Sequence, residues 1–181
     1  METTMTADAP PKGWFEARKT SLIWIGAGVT FAIACNVAAW FLWPSMTVAE
    51  PLDRLLLAVQ CCGGIGIVAL VLMQGLWRAV DTEGAEDPFA NKESHAWKIN
   101  QRVFSNTVEQ AIIFAPIFLA LSLRMQPEHA YMLPAMMTIW CVGRLLFWAG
   151  YRYKLEARAI GMDMTSITCN IAGIWLIATL F

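Results

Sequence analysis

The stretch that decides the fold is Ile99–Leu123, INQRVFSNTVEQAIIFAPIFLALSL. It is long and apolar enough to cross a bilayer core, which takes roughly 20 predominantly apolar residues. Its first half nevertheless carries Arg102, Asn106 and Glu109. At 100° per residue these three fall within about 60° of one another on a helix, with Ser105 on the flank of the same face. Ionisable side chains are costly in hydrocarbon, usually face a bundle interior, and by default mark a functional site. The stretch therefore predicts a spanning helix with a polar stripe at one end.

Four further apolar segments flank it: Ser21–Trp43, Leu52–Trp77, Tyr131–Tyr153 and Thr165–Phe181. Together they predict an all-α integral membrane protein with five spans. Composition agrees. The chain is 57% hydrophobic and 15% charged, with a mean hydropathy of +0.50, whereas a soluble domain is about half apolar and about a quarter charged. Pro44–Pro51 reads as a tight turn, with Pro51 suited to a first helical position. Arg78–Lys98 is the one long polar connector, and Lys154–Asp163 joins the last two segments. The expected organisation is a polar tail over residues 1–20, a first helix over 21–43, and a four-span domain over 52–181 whose loop is 78–98. Ser21–Trp43 reads as a retained anchor, since it is long for a signal sequence and lacks an A-x-A cleavage site.

Basic residues predict the orientation. With the N-terminus inside, one side collects Lys12, Arg18, Lys19, Arg78, Lys92, Lys98, Arg102, Arg152, Lys154 and Arg158. The other side collects Arg54 and Arg124. The positive-inside rule then makes the N-terminus and the long loop cytoplasmic and puts the C-terminus on the opposite side. Nine tryptophans suit anchoring at headgroup level.

Other classes fall away. A net charge of −1 gives no basic face for nucleic acid. Cys35, Cys61, Cys62, Cys141 and Cys169 lie in apolar segments without metal-ligand spacing, and His95 and His129 stand alone, so no metal site or disulfide framework is expected. Ala58, Cys62 and Gly66 recur every four residues, as do Cys169 and Gly173, a spacing suited to close helix packing in lipid.

A second stripe lies on the fourth segment. Arg144 and Tyr151 are two helical turns apart, with Phe147 and Trp148 between them, and Arg158 continues the same line if the helix persists. Both stripes fall toward the same membrane face. Singly, each residue has a structural explanation: Arg102 snorkelling to headgroups, Arg144 paired with Glu109, Asn106 bonding between helices. Together they make a cluster suited to a small zwitterionic or anionic ligand.

These residues resemble a known family, the membrane-associated proteins in eicosanoid and glutathione metabolism (MAPEG). Its R-x-x-x-N-x-x-E pattern is matched by Arg102, Asn106 and Glu109. Its Gly-Arg followed by a tyrosine seven residues later is matched by Gly143, Arg144 and Tyr151, and its Phe-Ala-Asn loop by Phe89, Ala90 and Asn91. The likeness runs from about Leu52 to Phe181. It implies a four-helix bundle assembled as a homotrimer, here with Ser21–Trp43 as an additional first helix. It also implies a glutathione pocket between protomers, built from Arg102, Asn106, Glu109, Arg144 and Tyr151. Arg158 and Tyr151 become the expected catalytic pair, with Arg158 stabilising the glutathione thiolate.

The activity implied is a glutathione-dependent transferase or peroxidase acting on lipophilic electrophiles that arrive through the lipid. Three departures bear on catalysis. Ser105 stands where some members have an arginine, Phe147 replaces a polar residue of one branch, and the last segment has no tyrosine. Ser105 and the missing tyrosine favour the alternative, a non-catalytic lipid-binding or scaffold protein on the same fold. A transporter or channel needs a polar path right through the membrane, and these polar residues cluster on one side.

Overall fold

A computed structural model describes residues 14–77 and 81–181, the side chains of residues 14–17 excepted. Among the described residues five helices carry the fold: α1 (Trp14–Leu42), α2 (Pro51–Met73), α3 (His95–Arg124), α4 (Met132–Tyr153) and α5 (Arg158–Ala178). A 3-10 turn, Gln74–Leu76, extends α2. All five are long and apolar enough to cross a membrane, as expected for an integral membrane protein. Arg78 and the N-terminal residues 1–13, Lys12 among them, lie outside the described residues.

The first and last spans differ from their expected bounds. α1 begins at Trp14, so its first turns fall within the expected tail. α5 begins at Arg158, well before Thr165. Gly161, Asp163 and the neighbouring polar residues depress local hydropathy, which delays a reading based on hydropathy alone. Consequently α4 does not persist to Arg158; it ends at Tyr153, and Arg158 opens α5 instead. Pro116 sits inside α3, which remains helical around it.

α4 is the central helix. More than half of its most apolar stretch is buried, against a third or less in each other span. Phe114 and Phe118 of α3 pack beside Trp140 of α4, with the Phe114 and Trp140 rings stacked 5.8 Å apart. α5 lies tightly on α4 through glycines. A Cβ at Gly161 would run into the α4 backbone at Phe147 N and Gly143 O, and one at Gly150 would press on Arg158 N at 2.7 Å. Close backbone approach of this kind stabilises helices in lipid, where dispersion replaces the hydrophobic effect. The seam expected at Ala58, Cys62 and Gly66 differs: Ala58 is fully buried, but Gly66 is exposed with nothing near its Cβ position.

Gly161→Ala should therefore be destabilising by about 1–3 kcal/mol or more, because the obstruction is backbone and cannot rotate away. Gly26→Ala, whose Cβ meets nothing within 4 Å, should be neutral or stabilising by up to about 1 kcal/mol. Thermal unfolding of both variants in detergent checks the contrast; equal melting temperatures would contradict it.

α1 is docked along α5. Asn36 donates from Nδ2 to Thr168 Oγ1 at 3.1 Å, and Tyr131 Oη donates to Trp40 O at 3.1 Å. At the same end Arg54, placed by the sequence reading only as an outer-side charge, is buried. It donates to Ser122 O, Val48 O and Ala49 O at 3.1, 2.9 and 2.6 Å. The opposite end carries the connecting residues 81–94. There Ser94 caps α3 by accepting from Trp97 N at 3.0 Å, and Ser94 N donates to Asp81 Oδ2 at 2.7 Å. The candidate site lies at this second end.

Candidate functional site

α3 presents two polar edges near its start. One is the expected stripe. The other is Asn100, buried on a different face, whose Nδ2 donates to Gly75 O at 3.0 Å. Its Oδ1 accepts from Trp148 Nε1 at 2.9 Å. Asn100 thus ties the ends of α2, α3 and α4 together. Sequence reading passed over it because it falls outside the 102/106/109 line, and its contact with Gly75, 25 residues earlier, exists only in the fold.

Arg144 is the centre of the site. Its side chain is fully buried (0% exposed). Nη1 donates to Asn106 Oδ1 at 2.8 Å, and Nη2 donates to Thr165 Oγ1 at 2.8 Å. Met162 Sδ lies 3.8 Å from Nη2, and the guanidinium stands 4.6 Å from the Phe147 ring centroid. Among the described residues Nε is buried without a partner, and no carboxylate pairs with the guanidinium. Asn106 stands between Arg144 and Glu109, its Nδ2 donating to Glu109 Oε2 at 3.4 Å. A buried cation held by neutral acceptors keeps its positive potential unneutralised. Placed so close to a cavity, that potential favours anions.

The cavity itself has a volume of about 360 Å³, within the roughly 300–1,000 Å³ of small-molecule sites. Arg102, Asn106, Tyr151, Arg158 and Asp163 supply its polar lining, and Ile25, Phe147, Ala159 and Met162 its apolar wall. Arg158 Nη1 donates to Tyr151 Oη, and its guanidinium lies 4.6 Å from the Tyr151 ring centroid. Phe147 meets Tyr151 edge to face at 5.2 Å. The expected residues are thus brought together from three helices: Arg102 and Asn106 on α3, Tyr151 on α4 and Arg158 on α5, with Arg144 behind Asn106. Glu109 and Ser105 are exposed and do not line this cavity. Asp163, Thr165 and the α1 residue Ile25 were not anticipated, since α5 was expected to begin only at Thr165 and the first helix was given no part in the site.

The MAPEG family model matches residues 56–179, well over half of the chain. The protein belongs to the MAPEG family. Neither a curated protein nor a solved structure matches it. Membership supports a membrane function related to glutathione, and the matched segment covers α2 from its sixth residue onward and all of α3, α4 and α5. α1 lies outside it.

Proposed function

We propose that this MAPEG protein binds glutathione in the cavity described above and uses it as a transferase or peroxidase on lipophilic electrophiles. The observation that carries the reading is the placement of Arg102, Asn106, Tyr151 and Arg158 around one cavity with the uncompensated Arg144 behind it. The charges match. The lining holds two guanidiniums and one carboxylate, whereas glutathione holds two carboxylates and one ammonium. Arg102 lies in the exposed mouth and suits a ligand carboxylate by charge-assisted hydrogen bonds. Arg144 holds Asn106 in register and adds positive potential.

Glutathione supplies a thiol that, once its proton has left to water, attacks an electrophilic carbon as the leaving group departs. Arg158 favours the anionic sulfur electrostatically. Tyr151 accepts from Arg158 through its oxygen, so its own O–H is left to donate to that sulfur. The apolar wall of Phe147, Met162 and Ile25 suits a lipophilic partner entering from the membrane. In the assembled protein, which we propose is a homotrimer, a neighbouring protomer meets the exposed edge of α3 that carries Glu109, with the connection that precedes α3 cytoplasmic.

Calorimetric titration of the purified protein in detergent tests the reading. A saturable heat with glutathione, together with conjugation of an aryl halide, is the expected result. A bound lipid copurifying without any heat from glutathione would instead support the non-catalytic reading, which the lack of a tyrosine in α5 favours.

A further inference from the structure

That reading counts the cavity's one carboxylate only as a charge and gives α1 only the apolar contact of Ile25. Asp163 lies in the second turn of α5 and lines the cavity together with Arg102 and Arg158. Among the described residues its Oδ2 is buried without a hydrogen-bond partner. An unpartnered carboxylate oxygen in a spanning helix is costly. A cation that meets the same carboxylate from the cavity offsets that cost in a site of low dielectric. α1 fixes where that oxygen stands. Gly28 is buried against α5, with Ile160 Cα 3.1 Å and Ala159 O 3.2 Å from its Cβ position, and a Cβ there would collide with Asp163 Oδ2. Ile25, about one turn away on α1, lines the cavity.

We propose that Asp163, seated in the Gly28 notch of α1, is the acceptor for the ligand's primary ammonium. The first helix is then part of the ligand site, although the family match does not include it. The proposal rests on the glutathione reading and adds the residue that selects for the γ-glutamyl amine. Glu109 and Glu156 also bear carboxylates nearby, but neither lines the cavity; Glu109 accepts from Asn106, and Glu156 pairs with Lys154.

The test compares glutathione with glutaryl-cysteinyl-glycine, the same molecule lacking the amine, by calorimetry on the full chain in detergent. The wild type should bind glutathione at least about tenfold more tightly than the analogue, the scale of one charge-assisted hydrogen bond. In Asp163→Asn the affinity for glutathione should fall about tenfold to a hundredfold, while that for the analogue stays within about twofold. Asp163→Asn is isosteric and removes a buried charge, so its melting temperature should not fall. Gly28→Ala provides a second variant, weakening glutathione more than the analogue by displacing the carboxylate. Glu109→Gln should keep the preference. Equal weakening of both ligands in Asp163→Asn, no weakening of either, or loss of the preference in Glu109→Gln overturns the proposal. A wild type that binds neither ligand overturns the glutathione reading itself, an outcome distinct from a wild type that binds glutathione without using Asp163.

Discussion

Arg158→Ala should lower kcat/KM for glutathione conjugation by about a hundredfold or more, the scale seen when one preorganised group facing a developing anion is removed. Arg158 lines the cavity and donates to Tyr151 Oη, so the substitution removes both a cation and the partner that orients the phenol. The effect should fall mainly on the chemical step. Glutathione binding should weaken less, by about tenfold or below, because Arg102 still offers a guanidinium at the mouth. The pH–rate profile adds a second readout. A neighbouring cation favours a thiolate, so without Arg158 the rate should rise only at higher pH than in the wild type. A uniform loss in binding with an unmoved profile would mean that Arg158 only positions Tyr151 or holds the helix end. Arg158→Lys should recover part of the rate, since it keeps the charge while losing the planar fork.

Arg144→Ala is the second large effect, and it should act through binding. The side chain is fully buried and bridges Asn106 on α3 to Thr165 on α5. Truncation leaves Asn106 Oδ1 without its donor, opens a void against Phe147, and cancels the positive potential behind the cavity. Leaving one buried polar group unpaired costs about 1–3 kcal/mol. Glutathione affinity should accordingly fall about tenfold to a hundredfold. Thr165 loses less, because its hydroxyl also donates to Met162 O at 2.9 Å. Arg144→Lys should behave much like the alanine variant in binding, since a single ammonium does not reproduce the two-armed bridge. Calorimetry for affinity and thermal unfolding in detergent for stability separate the two contributions. Unchanged affinity in Arg144→Ala would show that Asn106 needs no such support.

Much of the fold was legible from the chain, and for a simple reason. Lipid permits few backbone solutions, and a helix satisfies its own hydrogen bonds. Apolar length alone therefore located the second, third and fourth spans to within a few residues of their ends and showed that a further span precedes them. The last span is instructive. α5 starts at Arg158, and its first turns pack on α4 through Gly161 and Gly150, an arrangement that hydropathy along a single segment cannot register.

The polar stripe was legible for a related reason. Residues that are costly in hydrocarbon stand out in a greasy sequence, and Arg102, Asn106, Arg144 and Tyr151 were found that way. Helical geometry also placed Arg144 near Asn106 in depth. What it left open was the choice between neighbours. Glu109 lies on the same helical line, yet Arg144 bonds Asn106 rather than Glu109.

From the sequence by itself come the all-helical membrane fold, its five spans and the polar end of α3, because periodicity and transfer cost are properties of each segment alone. Which polar groups share a cavity was decided only in three dimensions. Asp163 and Arg158 join Arg102 because α5 begins early and lies close on α4, and Ile25 joins them because α1 docks on α5. Those placements depend on contacts between helices distant in sequence, set by where glycines let backbones approach.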